Sequence, residues 1–125
     1  MHGGQKEPLE AMQAWKNINT YIALLAVHPK AQAIPVLANH ACLGVRTLAV
    51  ALEHSSETRL GRNSELHAPA AAQWLRIAGE EVERICAEET QQFMMGDLWQ
   101  SHGGTEVCDS ARLAFWKSRL KDMGY

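Results

Sequence analysis

Residues 70–88 read AAAQWLRIAGEEVERICAE, and their reading decides the fold. Trp74, Ala78, Val82 and Ile85 recur at steps of four and three, which places them on one face of an α-helix. The run predicts a long helix that begins near Glu65 to Pro69 and continues to about Met94, with Gly96 as a C-cap.

Upstream, Ser55 to Ser64 is polar and contains Gly61, the composition of a loop. Before it, Pro35 opens a second helix reaching about His54, with Ala41, Val45, Leu48 and Leu52 as its buried line. Asn39, Arg46 and Glu53 lie seven apart on another face, as do His40, Thr47 and His54; these lines predict a mostly solvated side, interrupted by Leu43 and Val50. The first helix should run from about Pro8 to Val27, because proline suits a first turn and His28-Pro29 ends the run. Its expected seam is Ala11, Trp15, Ile18, Ile22 and Leu25. Downstream, Gly96 to Gly104 is a second loop whose Trp99 should fold back over a core edge. A last helix from about Thr105 to just before Gly124 packs through Cys108, Phe115, Trp116, Leu120 and Met123. Strand alternation and internal repeats are absent. The prediction is an all-α fold: a compact bundle of four main helices with short extra turns, one domain over residues 1–125, with 1–7 as a flexible tail.

Composition narrows the function classes. The chain has 125 residues, 46% of them apolar and 21% charged, which is a globular balance. A net charge of −2 gives no electrostatic case for nucleic acid. Lys117, Arg119 and Lys121 form a small basic patch where a helix C-terminal dipole favours cations. No apolar run reaches the length of a membrane span, and the N-terminus lacks the apolar core of a signal peptide. Cys42, Cys86 and Cys108 are widely spaced and form no CxxC or Cys/His ligand pattern, so free thiols in a reducing, cytoplasmic compartment are expected. No metal or other cofactor is expected: His40 and Cys42 alone are too sparse for a metal site, and there is no phosphate-binding glycine loop or Gly-x-Ser-x-Gly elbow. Met94-Met95 is expected at a helix end.

Four polar residues fall inside or at the edge of apolar arcs. With about 100° of advance per residue, Glu81 lies between Ile77 and the Trp74–Ile85 line. Arg112 lies between Phe115 and Trp116, with Arg119 further along the same helix. Asn19 follows Trp15 by one turn. Each has an ordinary structural reading: arginine stems can be buried while their heads reach water, and Glu81 can pair with Arg84 three residues on. Jointly they are chemically complementary. That complementarity predicts a polar cluster in a tryptophan-walled interior, with helices three and four turning their ionic side chains together. Glu81 would act as a base and Arg112 as the cation facing developing negative charge. Asn19, Trp15, Trp74, Trp116 and Arg119 would hold a substrate.

Short motifs carry a family resemblance over about residues 10 to 120. Trp15-Lys16-Asn17-Ile18-Asn19 resembles the Trp-x-Asn-x-Asn segment of a group of fungal proteins catalogued as a domain of unknown function. Ala70-Ala71-Ala72-Gln73-Trp74, with Ala78-Gly79-Glu80 after it, is similar to that family's Ala-Ala-x-Trp helix. Leu98-Trp99 matches a Leu-Trp, and Arg112-Leu113-Ala114-Phe115-Trp116-Lys117 resembles a closing Arg-x-x-Phe-Trp-Lys/Arg helix. The chain departs from the pattern in having little sequence ahead of Trp15. It also lacks a Gly-Phe/Leu-Ser entry to the closing helix at Ser101 to Thr105. The resemblance implies an all-helical fold, a filamentous-fungal source and proximity to natural-product genes. It transfers no catalytic residue.

Two functions follow as expectations. One is a small-molecule-binding protein, in its sharpest form a cofactor-free cyclase that closes a lactone or similar ring on a fungal natural-product or polyketide intermediate. The other is a non-catalytic helical module that self-associates or binds a protein partner, with the near-continuous apolarity of the second helix around Leu43 and Val50 as its interface. A homodimer is expected under both, because apolar stripes this wide leave surface to bury.

Overall fold

The computed structural model describes residues 6–34, 40–58 and 64–125. Five α-helices occur among them: α1 (Lys6–Val27), α2 (His40–Leu52), α3 (Ser64–Glu88), a short α4 (Asp97–Ser101) and α5 (Ser110–Asp122), with a 3-10 turn at Pro29–Ala33. The all-α bundle is as expected, and among the described residues there is no strand beyond an isolated bridge between Gln92 and Val107. No helix among them is long and apolar enough to cross a membrane. Pro35 to Asn39, Gly61 and most of the expected N-terminal tail lie outside the described residues.

The core forms where the apolar stripes of α2, α3 and α5 meet. Ala41, Val45, Leu48 and Leu52 on α2 are buried, as are Trp74, Ala78, Val82 and Ile85 on α3 and Trp116 and Leu120 on α5. Gly44 is what lets α2 approach α3: a Cβ there would drive into the Trp74 ring.

Three expectations are corrected. First, α1 is rotated relative to its expected seam. Asn19, Ala23 and Ala26 face the core, whereas Trp15 and Ile18 are exposed and Ile22 and Leu25 only half-buried. Small alanines permit close helix approach, and the buried amide is satisfied. Asn19 Oδ1 accepts from Trp74 Nε1 at 2.8 Å, and its Nδ2 donates to Trp15 O at 2.9 Å. Gln73 Nε2 donates to Thr20 Oγ1 at 3.0 Å across the same α1–α3 seam.

Second, α3 ends at Glu88 rather than Met94. Glu89 takes a positive φ of 56°, which breaks the helical path. The chain then runs back beside 106–108, with Phe93 N donating to Glu106 O and Cys108 N to Gln91 O. Met94-Met95 is therefore not a helix end, and Gly96 caps the start of α4 instead of the end of α3. Third, the last helix starts at Ser110, not Thr105. Asp109 is its N-cap and accepts from Arg112 N at 2.9 Å, satisfying a free donor of the first turn.

Candidate functional site

The polar interior exists, but its carboxylate is Glu53. This residue follows the last residue of α2 and is fully buried with Arg112 of α5. Arg112 meets it with two parallel bonds, Nε to Oε2 at 2.6 Å and Nη2 to Oε1 at 2.8 Å. Trp116 Nε1 donates to Oε2 at 2.6 Å and Gly96 N to Oε1 at 3.1 Å, so each carboxylate oxygen accepts two bonds. The remaining guanidinium N–H groups go to Glu106 O at 2.8 Å, Phe93 O at 3.3 Å and Met94 O at 3.0 Å. All five donors of Arg112 are thus engaged. The backbone joins in: Leu98 N donates to Glu53 O at 2.9 Å. A Cβ on Gly96 would strike that carbonyl, so glycine is required by close approach.

Burying two charges costs several kcal/mol per ion, and only full pairing of this kind offsets it. The network ties α2, α4, α5 and the 93–96 segment together at one point. It offers a substrate neither an open donor nor an open acceptor.

The expected site residues are therefore divided. Arg112 and Trp116 share the Glu53 network. Arg119 lies beside it and donates through Nε to Leu52 O at 3.2 Å, closing the end of α2. Asn19 and Trp74 form a separate pair between α1 and α3. Trp15 is exposed and meets His67 edge-on at 5.9 Å. Glu81 joins neither group. Its Oε2 accepts from Arg84 Nη2 at 2.8 Å, and Arg84 Nη1 reaches Glu88 at 3.0 Å, a ladder along the outer face of α3. Both carboxylates raise the Arg84 pKa, the Glu81 bond foremost. The expected pairing of helices three and four through Glu81 thus fails. The apolar line Trp74, Ala78, Val82 and Ile85 stays buried across the irregular Ala78 (φ −118°, ψ 27°), while Glu81 at its edge turns to Arg84.

Glu53 is the residue that sequence reasoning placed wrongly, on a solvated line with Asn39 and Arg46. The available signal was its position directly after Leu52, at the edge of the buried line. The same edge position describes Glu81, so periodicity alone did not choose between them.

The three cysteines are free thiols, and two of them meet. Cys86 Sγ and Cys108 Sγ lie 3.2 Å apart in the core. The Cys108 contact and burial push the Cys86 pKa up, holding it as a thiol. Among the described residues, no group of three or more His, Cys, Asp or Glu is placed to hold a metal ion.

The Glu53–Arg112 network also shapes the surface above it. A cleft of about 470 Å³ opens between α2 and the 92–95 segment. Arg46, Ala49, Val50 and His54 line it on one side and Gln92, Phe93, Met94 and Met95 on the other.

A family described as "Protein of unknown function (DUF3632)" matches residues 4–120. The chain belongs to this family. No curated protein and no solved structure matches it. Within this DUF3632 chain, the buried polar network, the outer face of α1 and the cleft are the features from which function has to be argued.

Proposed function

We propose that this protein is a non-catalytic helical module that self-associates through the outer face of α1. The observation that carries this reading is an apolar stripe that no other described residue covers. Ile18, Tyr21 and Leu24 follow one another at i, i+3 on the side of α1 turned away from Asn19, Ala23 and Ala26, with Leu9, Trp15 and Val27 at the edges of that side. Each is between 36% and 64% exposed. Such i, i+3 rows are the ridges that helices use to pack on one another.

Ile18, Tyr21 and Leu24 form one apolar stripe that a second copy can meet with the same stripe. A two-fold pair needs that self-complementarity, because residue i must meet j while j meets i. The exposed fractions of Ile18, Tyr21 and Leu24 amount to on the order of 400 Å², the centre of a patch that a second copy would have to extend to reach the ~800 Å² per partner of a stable interface.

Ring closure on a fungal natural-product intermediate has less support. It needs Glu81 and Arg112 facing one substrate, whereas Arg84 engages Glu81 and Arg112 has no donor to spare. Sedimentation velocity from 1 to 100 µM tests the module. The wild-type chain should sediment faster as concentration rises, and Ile18→Glu should remove that dependence without changing helicity. A wild-type chain that stays a monomer throughout would overturn the reading.

A further inference from the structure

We infer that the cleft between α2 and the 92–95 segment binds a flat apolar small molecule carrying a carboxylate, with Arg46 as its anion-binding residue. The cleft lies apart from the α1 ridge, and the inference does not depend on self-association.

The first argument is preorganisation. A segment without regular structure makes a poor wall unless something fixes it. Here Arg112 holds the carbonyls of Phe93 and Met94 from beneath, and Phe93 N is bonded to Glu106 O at 2.9 Å. The buried network therefore sets the width of the cleft. A site already formed avoids the ordering cost that weakens ligand binding.

The second argument is size and lining. About 470 Å³ falls within the ~300–1,000 Å³ of small-molecule sites. Ala49 and Val50 supply apolar lining from one face of α2. Met94 is 87% exposed, and a long thioether side chain at a rim can close over ligands of different outline.

The third argument is charge. The Arg46 guanidinium sits 5.8 Å above the Phe93 ring centroid, held beside the apolar lining. Arginine is always cationic and presents a fork matched to a carboxylate. The nearby Glu53 carboxylate does not offset it, because Arg112 neutralises that group. At the other end Asp97 lies 3.9 Å from His54 Nδ1, and its Oδ1 accepts from Ser55 N at 2.9 Å, which anchors that rim. An aromatic acid could lay its ring against this lining beside Phe93 with its carboxylate on Arg46.

The test uses the full chain, 2-naphthoate as ligand and 2-naphthamide as its neutral counterpart, followed by ligand-detected NMR titration. Naphthoate should bind saturably and about tenfold more tightly than the amide, the discrimination that one charge-assisted contact supplies. Arg46→Gln should reduce naphthoate to the affinity of the amide. Val50→Trp, which fills the cleft from a half-buried position, should abolish binding of both. Ile18→Glu should leave both affinities unchanged. Absence of saturable naphthoate binding would overturn the inference. So would equal affinity for acid and amide in the wild type, or binding that survives Val50→Trp. Loss on Ile18→Glu alone would instead place the ligand on the α1 ridge, and would also refute the cleft.

Discussion

The interior around Glu53 and the outer face of α1 invert the usual distribution of side chains. At Glu53 a carboxylate, a guanidinium and an indole N–H are fully buried, and every polar group is paired. Along α1 the large apolar side chains of Ile18, Tyr21 and Leu24 are each more than half exposed. A buried charge with all its partners is a structural element, whereas an apolar ridge with none is a surface that lacks its complement. The comparison moves functional attention from the ionic residues to the outside of the first helix.

The largest expected effect is at the network. Arg112→Met should cost about 3–5 kcal/mol in urea unfolding, because it strands the Glu53 carboxylate without its charge partner. Glu53→Leu combined with Arg112→Met should recover much of that loss, since the second change removes the stranded charge. If Arg112→Met were neutral, the interior would not differ from the surface in the way described. Next comes the α1–α3 seam. Asn19→Ala leaves Trp74 Nε1 buried without an acceptor and should cost about 1–3 kcal/mol, measured the same way.

On the exposed side of the comparison the effects should shrink. Glu81→Gln removes a surface ion pair and should change stability by less than about 0.5 kcal/mol, with unchanged circular dichroism. A loss as large as that of Arg112→Met would restore Glu81 to the core account. A graded case lies under Trp15, where burial lowers the His67 pKa from its ordinary 6.5. The folded chain then binds fewer protons than the unfolded one in that window. The His67 contribution is complete above pH 6.5 and is lost as pH falls through the lowered value. Asp97 adds a second loss at lower pH, because Ser55, whose N–H donates to Oδ1, holds its carboxyl below the ordinary 3.8. The urea midpoint should fall on acidification from pH 7 to 5, and His67→Gln should flatten that slope; an unchanged slope would remove His67 as its cause.

Much of the bundle was legible because α2, α3 and α5 each have a single apolar face. Where one face is apolar and the other polar, period 3.6 identifies the buried line, as it did for Val45 with Leu48 and for Val82 with Ile85. In α1 it did not, because both candidate faces are apolar. The buried one was chosen by the small side chains of Ala23 and Ala26 and by the fit of Asn19 to Trp74, both tertiary effects. Ile18, Tyr21 and Leu24 mark the face that stays out. Trp99 is buried as expected, but the helix boundaries around it, at Glu88, Gly96 and Ser110, were misread for a different reason. Glu89 and Gly96 take their conformations from contacts with distant residues, and local propensity carries no record of those. The Glu53–Arg112 pairing joins positions 59 apart, so complementarity could show that a carboxylate was needed without saying which.

The most direct test of the central claim is disulfide cross-linking through Ile18→Cys in a Cys42→Ser background, with Lys117→Cys as the exposed control. An isologous pair centred on Ile18 brings the two copies of the introduced thiol together. Mild oxidation should therefore give a species of twice the 13.9 kDa chain mass from the position-18 variant and little from the control. No cross-link at position 18, or equal cross-linking at both positions, would contradict self-association through α1.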